Sequence, residues 1–246
     1  MADTALERLD DSDLRRVLAV VAHPDDMEYG GAAAVAVWRS RAVEVAYVLV
    51  TSGEAGIDTL EPAHARPLRE AEQREACERV GVSDVRFLGF PDGTVEYGVA
   101  LRRALAAEVR RFRPDTVVTG SFRETWPGGM LNQADHVATG RAVVDAARDA
   151  GNRWLFPELE QDGLEPWNGV RTVLALGSPV ATHAIDVTDG FEAGVGSLEA
   201  HQQYLAALGP DAPQPRQMLT GMLGGVGEQV GVQYAVPTEV LRLQLY

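Results

Sequence analysis

Residues 17–31 read VLAVVAHPDDMEYGG. The first six are apolar without a break, and no polar residue alternates with them. That pattern predicts a short strand covered on both faces, as in a parallel sheet. Pro24 cannot donate to a ladder and ends the run. The following stretch, GGAAAVAVWR over residues 30–39, is rich in Ala and predicts a helix. Strand, tight turn and helix thus succeed one another within 23 residues, and the turn carries His23, Asp25 and Asp26.

The same alternation continues outward. Residues 43–50, 85–88 and 116–120 are β-branched or apolar and predict strands. Residues 63–80, with Gly81 as a stop, 99–112 and 136–150 predict helices. Residues 51–61, 90–93 and 121–134 are rich in Gly, Pro and polar residues and predict loops. Beyond Gly151 the pattern is less regular: strands are expected at 170–176 and 183–187, and helices at 188–208 and 214–227. The fold class expected is α/β, a Rossmann-like, mostly parallel sheet with helices on both faces. One domain is expected over 1–246, with a core at 15–150 and a less regular part at 151–246. In such sheets the active site lies at the C-terminal ends of the strands. The loops after residues 22, 50 and 120 should therefore face one crevice.

Composition narrows the function. Asp and Glu outnumber Lys and Arg by 36 to 22, a net charge of -14. Nucleic acids and anionic membranes call for a basic face, so neither is an expected partner. Cys77 is the single cysteine, which excludes an intrachain disulfide and Cys-based zinc motifs. The charged N-terminus has no apolar h-region, and no apolar stretch approaches the ~20 residues of a membrane span. A cytoplasmic protein is the expectation; a homo-oligomer is compatible with it.

One carboxylate on the 23–26 turn could serve as a helix cap. A histidine and two adjacent carboxylates ask for more. Imidazole nitrogen and carboxylate oxygen are both zinc ligands, and a catalytic zinc uses three protein ligands and an open position. His23 and Asp26 supply two. His136, at the mouth of the helix after the 116–120 strand, is placed on the same edge by the topology. His64 is next best, and His183 and His201 lie on later elements. The expected set is His23, Asp26 and His136, holding one zinc ion per chain. This mixed N/O site also suits other divalent ions. Asp25, if it points away from Asp26, is placed to act as general base. Arg69 and Glu72, three apart on a helix, read most simply as a surface ion pair. Gly224-Gly225-Val226-Gly227 follows no strand and is not a dinucleotide fingerprint.

These residues resemble the PIG-L/LmbE family of zinc-dependent N-deacetylases. The likeness begins with Ala22-His23-Pro24-Asp25-Asp26, Glu28 and Gly30-Gly31. It continues through Thr51, Gly53-Glu54, Gly56, the Arg69/Glu72 helix, Phe90-Pro91-Asp92-Gly93 and Asp135-His136. A weaker echo lies in Ala200-His201-Gln202-Gln203. The resemblance implies the same ligand set, Asp25 as base, and metal-assisted hydrolysis of an acetamide on an N-acetylglucosamine-type sugar or related acylated small molecule. It implies substrate contacts for Arg69, Asp92 and Glu54. Many members carry a second histidine, His-Pro-Asp-His, that assists at the oxyanion. Here the stretch is Gln133-Ala134-Asp135-His136. Either Gln133 fills that role more weakly, or Asn132, Arg123 or His201 replaces it; Arg123 and His201 are also expected among the substrate-binding residues. The change points away from the usual mycothiol-pathway substrate. Two rivals remain, a non-catalytic sugar binder of the same family and a metal-dependent hydrolase of another bond.

Overall fold

The apolar stretches sort by parity onto two faces. In the computed structural model, which describes residues 5–243, Val17, Ala19 and Val21 join one buried cluster, and Leu18 and Val20 the other. A strand with both faces covered has no need of polar alternation, which is why 17–21 reads as an unbroken run.

The strands are β1 (Glu7–Arg8), β2 (Arg16–Val21), β3 (Glu44–Leu49), β4 (Asp84–Phe87), β5 (Thr116–Gly120), β6 (Thr172–Leu176), β7 (His183–Asp186) and β8 (Ala235–Arg242). The helices are α1 (Gly31–Ser40), α2 (Pro62–Arg79), α3 (Val99–Phe112), α4 (Ala134–Asp149), α5 (Glu158–Gln161), α6 (Phe191–Glu199), α7 (Gln202–Ala207) and α8 (Pro215–Val230). The described strands form one sheet in the order β1-β7-β8-β6-β5-β2-β3-β4. Each pairing is parallel except those of β8, which runs antiparallel to both β6 and β7. Helices α3 and α4 cover one face; α1, α6 and α8 cover the other. The α/β class read from the sequence is the fold observed.

Strand β2 sits between β3 and β5. The chain leaves β2 toward β3 and β4 and later returns to β2's other side at β5, so the connections diverge here. A crevice opens beyond the carboxyl ends at such a point. The 23–30 turn after β2 and the 121–133 loop after β5 form its walls.

Three features depart from the sequence reading. Strands β1 and β8 were not expected; β8 carries Pro237, which breaks the usual signature of an interior strand. The segment 188–208 is not one helix but a 3-10 turn at Thr188–Gly190, then α6, then α7. The break falls at His201, with ψ at 53° and the side chain fully buried. Seating that ring inside the protein costs the helix its continuity. The short helix α5 also lies in a stretch read as irregular.

Candidate active site

Neither Asp25 nor Asp26 caps α1. The N-cap is Gly30, with no side-chain bond. The carboxylates instead build the turn. Asp26 Oδ2 accepts the His23 backbone N–H at 2.8 Å. Asp25 has φ of 79°, a left-handed conformation that a non-glycine residue adopts only when its surroundings hold it. Its N–H donates to Gln73 Oε1 at 2.9 Å, and its Oδ2 accepts Arg69 Nη2 at 2.8 Å.

His23, Asp26 and His136 converge. His23 Nδ1 and His136 Nε2 stand 3.2 Å apart, His136 Nε2 and Asp26 Oδ1 3.0 Å, and His23 Nδ1 and Asp26 Oδ2 3.7 Å. Ligands held tetrahedrally about zinc at ~2.0–2.1 Å are roughly 3.3 Å from one another. The donor atoms are thus spaced as the edges of such a site, and the three residues form a candidate metal-binding group. The outer partners fix the tautomers. His136 Nδ1 donates to Asn132 Oδ1 at 2.9 Å, which turns Nε2 inward as a lone pair. His23 Nε2 faces Asp92 Oδ1 at 3.0 Å and Asp135 Oδ2 at 3.2 Å, which leaves Nδ1 facing His136 and Asp26.

His23, Asp92 and Asp135 also cluster closely enough to hold an ion. Their bonds favour the outer role. Asp135 accepts the N–H groups of Gly93 at 2.7 Å and Val95 at 3.0 Å, and Asp92 accepts that of Ala55 at 2.7 Å. Asp135 therefore anchors the 90–95 loop rather than capping α4.

The electrostatics fit a cation. Burial disfavours charge on His23, but bonds to Asp135, Asp26 and Asp92 outweigh it and raise its pKa to about 12. Burial likewise opposes charge on Asp26, yet His136 and His23 hold that carboxyl well below the usual range. So much negative charge on a buried imidazole marks a place short of positive charge. Asp25 differs. Burial is the main cause of its rise to about 7, with Arg69 opposing and Asp26 adding. The two adjacent carboxyls are thus pushed in opposite directions, Asp26 down and Asp25 up.

The crevice is a cleft of about 740 Å³, and His23, Asp25, Asp26, Arg69, Asp92, Gln133 and His136 all line it. Gln133 is exposed at its mouth, at the N-cap of α4. Arg69 is not on the surface and does not pair with Glu72. It is 2 % exposed and donates to Gly53 O, Pro24 O and Asp25, tying the 51–56 loop to the 23–26 turn. Glu72 accepts the N–H of Gln203 instead. Glu54 bonds Arg66 Nη2 at 2.7 Å and the N–H of Ser52, within its own loop. Arg123 pairs with Glu239. His201 lies beneath the site, its Nε2 3.8 Å from Glu28 Oε2. Neither Glu54, Arg123 nor His201 lines the cleft.

Three residues of the site had escaped notice. Gln73 holds the Asp25 backbone. Tyr204 hydrogen-bonds Asp25, and its ring lies 4.2 Å from the Arg69 guanidinium; burial foremost, then Asp25, raises its pKa to about 12. Trp126 meets His136 edge-on, with centroids 5.9 Å apart. Gln73 lies one turn after Arg69 and Tyr204 three residues after His201, so each sat on a stretch already singled out.

Gly53 has φ of 63°, and a Cβ there would overlap the Arg69 guanidinium. Gly53→Ala is expected to cost ~1–3 kcal/mol from the backbone alone. Urea denaturation measures this, and the Arg69 bonds to Gly53 O and Asp25 should weaken with it. Unchanged stability would show that the loop has room to move.

Residues 18–147 match the family model described as PIG-L, GlcNAc-PI de-N-acetylase. A probable N-acetyl-alpha-D-glucosaminyl L-malate deacetylase 2 of Bacillus cereus is 31% identical over 219 residues, covering 83% of this chain and 86% of that protein. A 1D-myo-inositol 2-acetamido-2-deoxy-alpha-D-glucopyranoside deacetylase of Kineococcus radiotolerans is 38% identical over 200 residues, 66% of this chain and 52% of that one. The chain thus spans little more than half the length of some curated relatives it matches. Among solved structures, the N,N'-diacetylchitobiose deacetylase of Pyrococcus horikoshii superposes with a TM-score of 0.83 at 22% identity, covering 94% of this chain and 85% of that one. At that identity the likeness speaks for the fold. Among the described residues, no helix is long and apolar enough to cross a membrane.

Proposed function

The chain belongs to the PIG-L family, and from that premise we propose that it is a metal-dependent N-deacetylase acting on an N-acetylglucosamine-type sugar or a related acylated small molecule. The observation that carries this reading is the spacing of His23 Nδ1, Asp26 and His136 Nε2, 3.0 to 3.7 Å apart, with Asp25 beside them in the same cleft. Those three residues would hold one divalent ion, and the two-nitrogen, one-carboxylate set favours zinc. Such an ion supplies Lewis-acid polarisation of a carbonyl and makes water a better nucleophile.

The rest falls to the chain's own side chains. Asp25 takes the proton of the attacking water, since a base near neutrality is matched to that task. The proton bound there is then delivered to the nitrogen of the leaving amine. Arg69 and Tyr204 hold the Asp25 carboxylate, and Gln73 holds its backbone. Gln133, exposed at the mouth of the cleft, donates a hydrogen bond to the oxyanion that forms on the acetyl carbonyl. Asn132 is occupied with His136, Ser121 and Arg123. Asp92 and Arg69 line the cleft, but the Asp92 oxygens are taken up by His23 and Ala55, and the Arg69 Nη groups by Gly53, Pro24 and Asp25. They therefore shape the sugar side of the cleft and position Asp25 and His23.

The test is release of free amine from N-acetylglucosamine derivatives by metal-loaded protein, lost with a chelator and regained with zinc. Amine release indifferent to chelation would overturn the metal's part. Metal-loaded protein that binds these sugars without cleaving them would instead favour a sugar-binding role. Gln133→His is expected to leave turnover equal or higher, because imidazole can also donate to the oxyanion. A loss beyond tenfold would assign Gln133 to a substrate contact that histidine cannot make.

A further inference from the structure

The order of the strands divides the cleft into two unlike halves. The metal-ligand triad stands over β2 and β5, at the middle of the sheet. Toward β3 and β4 the lining is polar: Arg69, Asp92 and Tyr204. Toward β6 and β8 it is apolar. Leu176 ends β6, Val236 and Pro237 open β8, and Leu223 and Val226 come from α8. Among the described residues, none of the acidic or basic residues that line the cleft comes from this second half.

Two further apolar side chains sit at the rim. Met130, on the β5–α4 loop, is 69% exposed, and Met222, on α8, is 49% exposed. Both line the same cleft. Lying at the rim of an apolar wall, these two side chains extend its surface toward the mouth of the cleft. Methionine adapts its shape to apolar ligands. A cavity of about 740 Å³ also lies in the upper part of the ~300–1,000 Å³ range that accommodates drug-sized ligands. An acetyl group offers one methyl to this wall and leaves most of it wet.

We propose that the substrate carries an apolar chain or ring, seated between β6, β8 and α8, on the opposite side of the scissile amide from its sugar hydroxyls. This rests on the deacetylase reading and names the class of substrate it would take. The apolar group has two sources: an N-acyl chain longer than acetyl, or an apolar aglycone.

Two series separate the sources. One is glucosamine carrying N-acetyl, N-butyryl, N-hexanoyl and N-octanoyl groups. The other is N-acetylglucosamine as its methyl, butyl and hexyl glycosides. Metal-loaded protein is assayed for kcat/KM on each, and binding is read separately by tryptophan fluorescence. A fully buried methylene is worth roughly fourfold. One series is therefore expected to rise at least tenfold from its shortest to its longest member, and which series rises identifies the source. In Val226→Asn that ratio should collapse toward one. If N-acetylglucosamine is cleaved but both series are flat or falling, the apolar seat is wrong and the deacetylase reading stands. If longer members bind more tightly but none is cleaved, the seat is right and the reaction is wrong. If no member is bound or cleaved, both fail.

Discussion

Asp25→Asn is expected to lower turnover by about 10²–10⁴-fold while leaving the metal in place. The amide keeps the size and the hydrogen bond from Arg69, so the turn survives. It cannot take a proton. Asp25 is not among the three converging ligand atoms, so metal content should match that of the wild type. The pH profile carries the sharper signature. Burial raises the Asp25 pKa to about 7, and only the deprotonated form is a base. Activity therefore rises with pH through that value and falls below it. A bound cation nearby favours the carboxylate, so the acid limb of the loaded enzyme should lie at or below pH 7. The residual activity of Asp25→Asn should lack this limb. Wild-type rates in the variant would remove Asp25 from the chemistry.

His136→Ala is expected to abolish both metal binding and activity. Losing an outer partner of a metal ligand typically costs about 10–100-fold in affinity, and losing one of three direct ligands should cost more. The readout need not be turnover. A ligand that binds only the folded state raises its stability, so zinc should raise the melting temperature of the wild type and not of the variant. Elemental analysis should fall from about one ion per chain to nearly none. Asn132→Ala should lie between, because it leaves the three ligands in place while removing the acceptor of His136 Nδ1 and the bonds from Asn132 to Ser121 O and Arg123 O that hold the loop. Full metal occupancy in His136→Ala would refute the ligand set.

The legible parts of the fold were those where one local pattern sufficed. An apolar run such as 17–22 admits few readings, and HPDD at its end concentrates chemistry in four residues. Strand β8 was illegible because Pro237 argues against a strand. The reason it fits is not local: Pro237 pairs with Ala184 in β7. The break at His201 depends on a ring buried beside Glu28, far away in sequence.

The site divides in the same way. The residues that converge on one point came from topology, since β2 and β5 are neighbours. Their supports did not. Arg69 reads as a surface residue because Glu72 is three positions away, yet its partner is Asp25, 44 positions back. Glu54 and Arg123 look like polar groups on cleft loops, and both side chains are taken up by Arg66 and Glu239. Charged residues at a loop are visible in sequence; what already satisfies them is a matter of packing.

The most direct measurement is acetate release. Wild-type and Asp25→Asn proteins, loaded with zinc and assayed for metal in the same samples, are incubated with one N-acetylglucosamine derivative. Equal metal in both, with acetate released by the wild type and about a hundredth of that amount or less by the variant, is the expected result. Equal release from both proteins, or none from fully loaded wild type on any acylated sugar, would contradict the assignment of this cleft to amide hydrolysis.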